Sequence, residues 1–195
     1  MFNIVLVAPE IPANTGNIGR TCVVTGSCLH LVGPLGFSLD EKSLHRAGLG
    51  YWESLSVAVY ENWEDFVEKN GLVAEDARLH LLTKKARRTY AEARYQDGDF
   101  LVFGCESVGL PEDLLAAHAD HCERIPMLPD AASLDNASSW GSPDEKADHT
   151  ALRAQDVCGN FVNPEDYRIS ALNLSNAAAV VLYEALRQTG FAGME

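Results

Sequence analysis

Short apolar runs alternate along this chain with polar segments that contain glycine, proline, asparagine or serine. Short runs rich in β-branched residues are typical of buried strands, whereas apolar residues three or four positions apart indicate helices. The pattern predicts strands at about 2–8, 28–32, 54–60, 78–83, 100–103 and 123–127. It predicts helices at about 16–26, 38–48, 63–70, from 110 onward and 172–187, with Asn62 as a candidate N-cap. Strands alternating with helices predict an α/β fold: a mainly parallel sheet with helices on both faces.

One segment interrupts this alternation. From about 131 to 168 the chain is rich in serine, aspartate, asparagine, glycine and proline and has no sustained periodicity. This polar insert holds seven acidic and three basic residues. A loop of this length within a compact domain is either functional or partly disordered. At 195 residues the chain is too short for two full domains, so we predict a single domain over 1–195 that carries this insert.

The formal net charge of −13 argues against nucleic acid as a partner. Phosphate binding draws its affinity from Lys and Arg that release counterions, so an acidic protein needs its positive charge gathered locally. The candidate patches are Lys42, His45 and Arg46, and Lys84, Lys85, Arg87 and Arg88. On charge alone, a solvated surface is the favoured interpretation of both.

Several other classes of protein are disfavoured. No apolar run approaches the ~20 residues that cross a bilayer, and the apolar start lacks a basic region, so we predict neither a membrane span nor a signal peptide. The five cysteines are scattered without C-x-x-C spacing, which favours reduced thiols in the cytoplasm. The cluster at 118–122, with His118, Asp120, His121 and Cys122, could suggest a metal, but a closed zinc site needs four ligands in a fixed geometry, so we expect a polar helix end and no metal.

The first motif is Asn-Thr-Gly-Asn-Ile-Gly-Arg at 14–20, between the first strand and its helix. Glycines at such a turn let backbone amides approach an anion. A dinucleotide site is only weakly indicated, because Asn14 replaces the first glycine of G-x-G-x-x-G and no acid ends the second strand. Tight packing of the helix on the sheet is the structural alternative.

The second motif is Phe-Gly-Cys-Glu-Ser-Val-Gly-Leu-Pro at 103–111. A strand end, two glycines and a helix start form the kind of edge at which ligands bind in open α/β sheets. Glu106 either orients a ligand or caps the following turn.

The third motif is Ser-Ala-Leu-Asn-Leu-Ser-Asn-Ala at 170–177. Asn173, Ser175 and Asn176 provide more polar groups than capping a helix requires. The apolar continuation, 180–183, is expected to be core or a subunit contact.

In this order, the three motifs resemble the SPOUT superfamily of methyltransferases and, within it, the SpoU-type branch that methylates ribose 2'-hydroxyls in RNA. The similarity is greatest to the small single-domain group that modifies the cytidine or uridine at the wobble position of tRNA. It covers residues 1–130 and 168–191, nearly everything outside the insert. In similar small proteins the insert position holds only a few residues, so here it forms either a lid or a tolerated surface excursion.

The resemblance implies a C-terminal deep trefoil knot, a homodimer, a tRNA substrate, and S-adenosylmethionine bound in the knot with S-adenosylhomocysteine as product. The family usually has serine where this chain has Ala171, which preserves a backbone contact and removes a hydroxyl. The implied cofactor pocket is lined by Leu82, Thr83, Gly104, Glu106, Gly109, Ile125, Met127, Ala171, Leu172 and Asn173.

The implied catalytic residues are Arg20, Asn14, Asn173 and Ser175. Arg20 would hold a neighbouring phosphate and stabilise the developing alkoxide, since a guanidinium does not act as a free base in proteins. The other three would orient the ribose or Arg20. No metal or redox cofactor is expected.

Three other functions stay open on the sequence. A nucleotide-binding oxidoreductase begins with the same succession of strand, glycine loop and helix. An RNA-binding or assembly protein that has kept the fold and lost the activity is the second alternative. Methylation of a base nitrogen is the third alternative, disfavoured by the motif at 172–176.

Overall fold

A computed structural model describes residues 1–38, 52–73, 76–127 and 171–195. Six parallel strands form one sheet in the order β3-β2-β1-β5-β4-β6. The strands are β1 (Asn3–Val7), β2 (Cys28–Val32), β3 (Val57–Tyr60), β4 (Leu79–Leu82), β5 (Phe100–Phe103) and β6 (Cys122–Glu123). The predicted parallel α/β sheet is therefore confirmed. The short helix expected at 38–48, the polar insert and most of the segment that would form the knot lie outside the described residues.

The α-helices cover both faces of this sheet. They are α1 (Pro12–Thr25), α2 (Trp63–Lys69), α3 (Glu112–Ala117) and α4 (Leu174–Gln188), with short 3₁₀ helices at Trp52–Ser54 and Ala119–His121. The predicted cap of α2 is confirmed, because the Asn62 side chain accepts a hydrogen bond from the Asp65 amide at 2.9 Å. Within the described ranges, no helix combines the length and the apolar character needed to span a bilayer.

Three predicted boundaries were wrong. Helix α1 begins at Pro12, about one turn before the expected start, because a proline at the first helical position loses no needed hydrogen bond. The motif at 14–20 therefore lies inside α1. The strand expected at 54–60 is confined to β3, because a 3₁₀ turn occupies its first residue. The strand expected at 123–127 ends at Glu123, and the residues after it form a cavity wall.

Alternate residues of each strand face two separate apolar cores. On one face, Ile4 and Leu6 of β1 pack with Ile18 of α1 and Val181 of α4. On the other face, Val5 and its neighbours pack with Phe66 of α2 and Leu115 of α3. A parallel sheet buried on both faces needs strands that are apolar throughout, which explains the runs seen in the sequence.

Two buried strand histidines have opposite environments. His30 of β2 lies among aromatic rings, and burial lowers its pKa to about 4. His80 of β4 lies between Asp99 and Glu123, at 3.0 and 2.9 Å. Burial alone would lower the pKa of His80, but hydrogen bonds and the charges of these two carboxylates raise it to about 9.

We expect stability to decline as the pH rises through the titration of His80. Between pH 6.5 and about 9 the folded state holds a proton that the unfolded state has released, so stability present below pH 6.5 is lost by about pH 9. The loss is on the order of 3 kcal/mol. Urea unfolding at a series of pH values measures it, and His80→Gln should remove the decline.

His30→Gln is the matched control, since it removes a second buried strand histidine. In wild type, His30 binds a proton in the unfolded state but not in the folded state between pH 6.5 and about 4, so it lowers stability only as the pH falls through that range. The variant should therefore keep the decline above pH 6.5. An equally steep decline in His80→Gln and wild type would contradict the assignment.

Candidate functional site

A cavity of about 360 Å³ opens at the carboxyl ends of β4 and β5. Strand order reverses between β1 and β5, and such a reversal is where open α/β sheets bind ligands. The volume lies within the range of small-molecule sites. All ten residues predicted to contact a cofactor line this cavity: Leu82, Thr83, Gly104, Glu106, Gly109, Ile125, Met127, Ala171, Leu172 and Asn173.

The loop after β5 leaves no space for a side chain at its first residue. A Cβ on Gly104 would lie 2.0 Å from the carbonyl carbon of Gly109. Gly109 has a φ of 76° and donates from its amide to the Cys105 carbonyl at 3.0 Å. Both glycines are therefore needed to fold the loop back on itself. The folded-back loop forms one wall of the cavity.

A chain of hydrogen bonds joins the three motifs. The Ser175 hydroxyl donates to Asn173 Oδ1 at 2.6 Å, and Asn173 Nδ2 donates to Asn14 Oδ1 at 2.9 Å. Asn14 Nδ2 then donates to Glu106 Oε1 at 2.9 Å. We call these four residues the polar chain. It ties the starts of α4 and α1 to the loop after β5.

The direction of the polar chain is fixed at both ends. The Glu106 carboxylate only accepts, so Asn14 must present its NH₂ group there and its oxygen to Asn173. At the other end, the Ser175 amide only donates, and it contacts Asn173 Oδ1 at 3.0 Å. Both amide orientations thus follow from the partners.

Glu10 belongs to the same site, although the sequence reasoning missed it. Its amide donates to Glu106 Oε2 at 2.9 Å, while its own carboxylate accepts from the Ser107 amide at 3.0 Å and hydroxyl at 2.7 Å. These reciprocal bonds hold the loop after β1 against the loop after β5. The signal for it in the sequence was the segment Pro-Glu-Ile-Pro at 9–12, directly after the first predicted strand.

The predicted catalytic residues do not all meet at the cavity. Asn14 and Asn173 line it, and Ser175 contacts it through Asn173. Arg20 lies on the exposed side of α1 and is not among the lining residues of the described chain. Lys84 and Lys85, which the sequence suggested only as a surface patch, do line the cavity.

His118 and His121 lie at the carboxyl end of α3 and in the 3₁₀ turn that follows it. The rings of His118 and His121 are 6.5 Å apart, and His118 packs edge-on against Trp63. In the four described ranges, no group of three or more His, Cys, Asp or Glu is arranged to hold a metal ion.

Comparison with known proteins gives three relevant similarities. The sequence profile of the SpoU rRNA Methylase family matches residues 1–141. The tRNA (cytidine(34)-2'-O)-methyltransferase of Saccharophagus degradans is 42% identical, covering 99% of each chain. A structure described as giving insights into the 2-OH methylation of C/U34 on tRNA is 32% identical, with a TM-score of 0.69 over 97% of this chain and 96% of that one.

A more distant structure shares the fold. The SpoU methyltransferase AviRb from Streptomyces viridochromogenes, in complex with the cofactor AdoMet, has a TM-score of 0.64 at 22% identity. The alignment covers 96% of this chain and 57% of that one.

We expect Asn14→Asp to destabilise the protein in a pH-dependent way. The change places a carboxylate where an NH₂ group now donates to Glu106 at 2.9 Å. Repulsion raises the pKa of the new carboxyl, so the folded state loses stability as the pH rises and the group ionises. Urea unfolding should show about 1–3 kcal/mol more destabilisation at pH 8 than at pH 4.5.

Asn17→Asp is the control for this experiment. Asn17 lies on the same helix one turn later and is exposed, so it receives the same charge without a carboxylate contact. An equal pH dependence in the two variants would refute the proposed geometry of the polar chain.

Proposed function

Because the chain belongs to the SpoU rRNA Methylase family, we propose that it methylates the ribose 2'-hydroxyl of cytidine 34 in tRNA. The observation that carries this proposal is the convergence of all three motifs on one cavity through the polar chain. The similarity to a tRNA (cytidine(34)-2'-O)-methyltransferase spans 99% of both chains, which supports the same substrate.

S-adenosylmethionine is the proposed cofactor. The cavity combines apolar walls with the Glu106 carboxylate and the cations Lys84 and Lys85, which suits a ligand that carries both a positively charged sulfur and a carboxylate. Bound there, the cofactor supplies a methyl group on a positively charged sulfur. Ala171 has no hydroxyl to offer, so backbone groups of the 171–173 segment would make the contacts on that side.

The protein's main contribution would be positioning. Asn14 and Asn173 have fixed amide orientations, so they present defined polar groups to the ribose. Arg20 would hold a phosphate of the substrate and stabilise charge that develops on the ribose oxygen. Because Arg20 and Val24 are four residues apart on α1, they share one exposed side of the helix.

That exposed side supports a homodimer. Val24 on α1 is 63% exposed, and Val180 and Tyr183 on α4 are 39% and 45% exposed. Helices α1 and α4 pack together, so a second copy could cover both and enclose Arg20.

We further propose the C-terminal trefoil knot of this family. Cys22, Cys28, Cys105 and Cys122 are reduced thiols in the part of the chain that the structure describes, which supports a cytoplasmic location.

The oxidoreductase alternative has less support. The glycines of the first motif lie within α1 instead of forming a phosphate-binding loop ahead of it. Calorimetric titration with S-adenosylmethionine and with NADH separates the two functions. Binding of NADH alone would refute the proposal.

The direct test is methylation of tRNA. We expect purified enzyme and labelled S-adenosylmethionine to yield 2'-O-methylcytidine in digested tRNA, identified by mass spectrometry. A methylated base, or no methylated nucleoside, would contradict the proposal. A tRNA with guanosine at position 34 is the matched control substrate.

We expect Arg20→Ala to lower methylation at least about a hundredfold, because one group that stabilises the transition state is lost. Affinity for S-adenosylmethionine, measured by calorimetry, should stay within about twofold. Arg78→Ala is the control, since Arg78 is exposed at the amino end of β4, away from the cavity. If Arg20→Ala lost both methylation and affinity for S-adenosylmethionine, the proposed role of Arg20 in transition-state stabilisation would be contradicted.

A further inference from the structure

The segment after β4 concentrates positive charge in an acidic protein. Residues 84–94 hold five cations and one carboxylate, whereas the whole chain carries a net charge of −13. Lys84 and Lys85 line the cavity, and Ile125, next to Arg124, lines it as well. We call Lys84, Arg87, Arg88 and Arg124 the basic ridge. It stands at the edge of the proposed active site.

The backbone of the basic ridge is fixed to the chain that follows β6. The Arg124 amide donates to the Arg88 carbonyl, and the Tyr90 amide donates to the Arg124 carbonyl, both at 2.9 Å. The Arg124 guanidinium also donates to the Arg87 carbonyl at 3.4 Å. The ridge is therefore ordered before any ligand arrives, which lowers the entropic cost of binding.

Two carboxylates, those of the buried Glu123 and the partly buried Glu112, anchor the segment. Arg88 donates to Glu123 at 3.0 Å, and Glu123 is fully buried, where it also accepts from His80 and Tyr95. Lys85 is 4% exposed and forms an ion pair with Glu112 of α3. These two cations are largely neutralised and hold the segment in place.

The remaining cations carry the outward charge of the ridge. Arg87 is exposed, and Lys84 and Arg124 are partly exposed. Glu92 opposes them: hydrogen bonds from Thr89 lower its pKa, and the nearby charges of Arg88 and Arg124 lower it further. Among the described residues, Arg87 and Arg124 thus place positive charge on the surface beside the cavity.

We propose that the basic ridge binds backbone phosphates of the RNA substrate next to the nucleotide held in the cavity. This inference rests on the proposed function. Phosphates are the complementary ligand, because clustered Arg and Lys on an ordered backbone suit repeated anionic groups and guanidinium binds phosphate in a bidentate manner. The ridge would set the register of the RNA and leave base recognition to other residues.

Filter binding of tRNA by an Arg87→Gln, Arg124→Gln double variant tests the inference. At 0.1 M salt we expect at least about tenfold weaker binding than wild type, and a salt dependence reduced by about 0.7 in log–log slope per lost contact. Arg87→Lys should restore most of the affinity lost in Arg87→Gln. Calorimetric affinity for S-adenosylmethionine should stay within about twofold, which shows an intact cavity.

Arg78→Gln is the matched control, because it removes an exposed arginine at the opposite end of β4. If wild type binds tRNA and the double variant binds as tightly as this control, the ridge proposal is overturned. Equal binding of anionic lipid vesicles and tRNA would also overturn it. If the double variant loses tRNA affinity while wild type methylates no tRNA, the ridge stands and the proposed function fails.

Discussion

The hydrogen bond from Asn173 to Asn14 holds the candidate site together. It joins residues 159 positions apart and connects the start of α4 to the start of α1. One such bond contributes only about 1 kcal/mol net, so apolar packing between the two helices must provide most of the stability. The bond instead fixes orientation, because it aligns Asn14 to donate to Glu106. Three distant segments thereby form one polar cavity.

The sequence predicted the sheet and the cavity better than it predicted local boundaries. Strands that are buried on both faces appear in the sequence as continuous apolar runs. A glycine that close backbone packing requires, such as Gly104, appears as part of a recognisable motif. The start of α1 was misplaced because Asn14 and Thr15 are typical of turns, yet tertiary contacts bury both in the helix. Glu10 was missed because its partners, Glu106 and Ser107, are remote in sequence.

The charge of the two buried histidines also depends on residues that are close in space but distant in sequence, which the local sequence pattern does not reveal. His30 is the third residue of β2 and His80 is the second residue of β4, and both strands are short and apolar, so the two sequence contexts look alike. Aromatic rings surround the first and keep it neutral near pH 7. Two carboxylates flank the second, and one of them, Glu123, also anchors Arg88. The proton on His80 therefore helps to balance the buried charge beneath the basic ridge.

This arrangement reconciles an acidic chain with an RNA substrate. At an ionic strength of about 0.1 M, exposed charges more than about 10 Å apart are largely screened from each other. A phosphate at the cavity edge therefore senses Lys84, Arg87 and Arg124 far more strongly than carboxylates elsewhere on the surface. Burying Glu123 under Arg88 adds order to the ridge without exposing another negative charge. Net charge is thus a poor guide to partners when cations are both clustered and held in place.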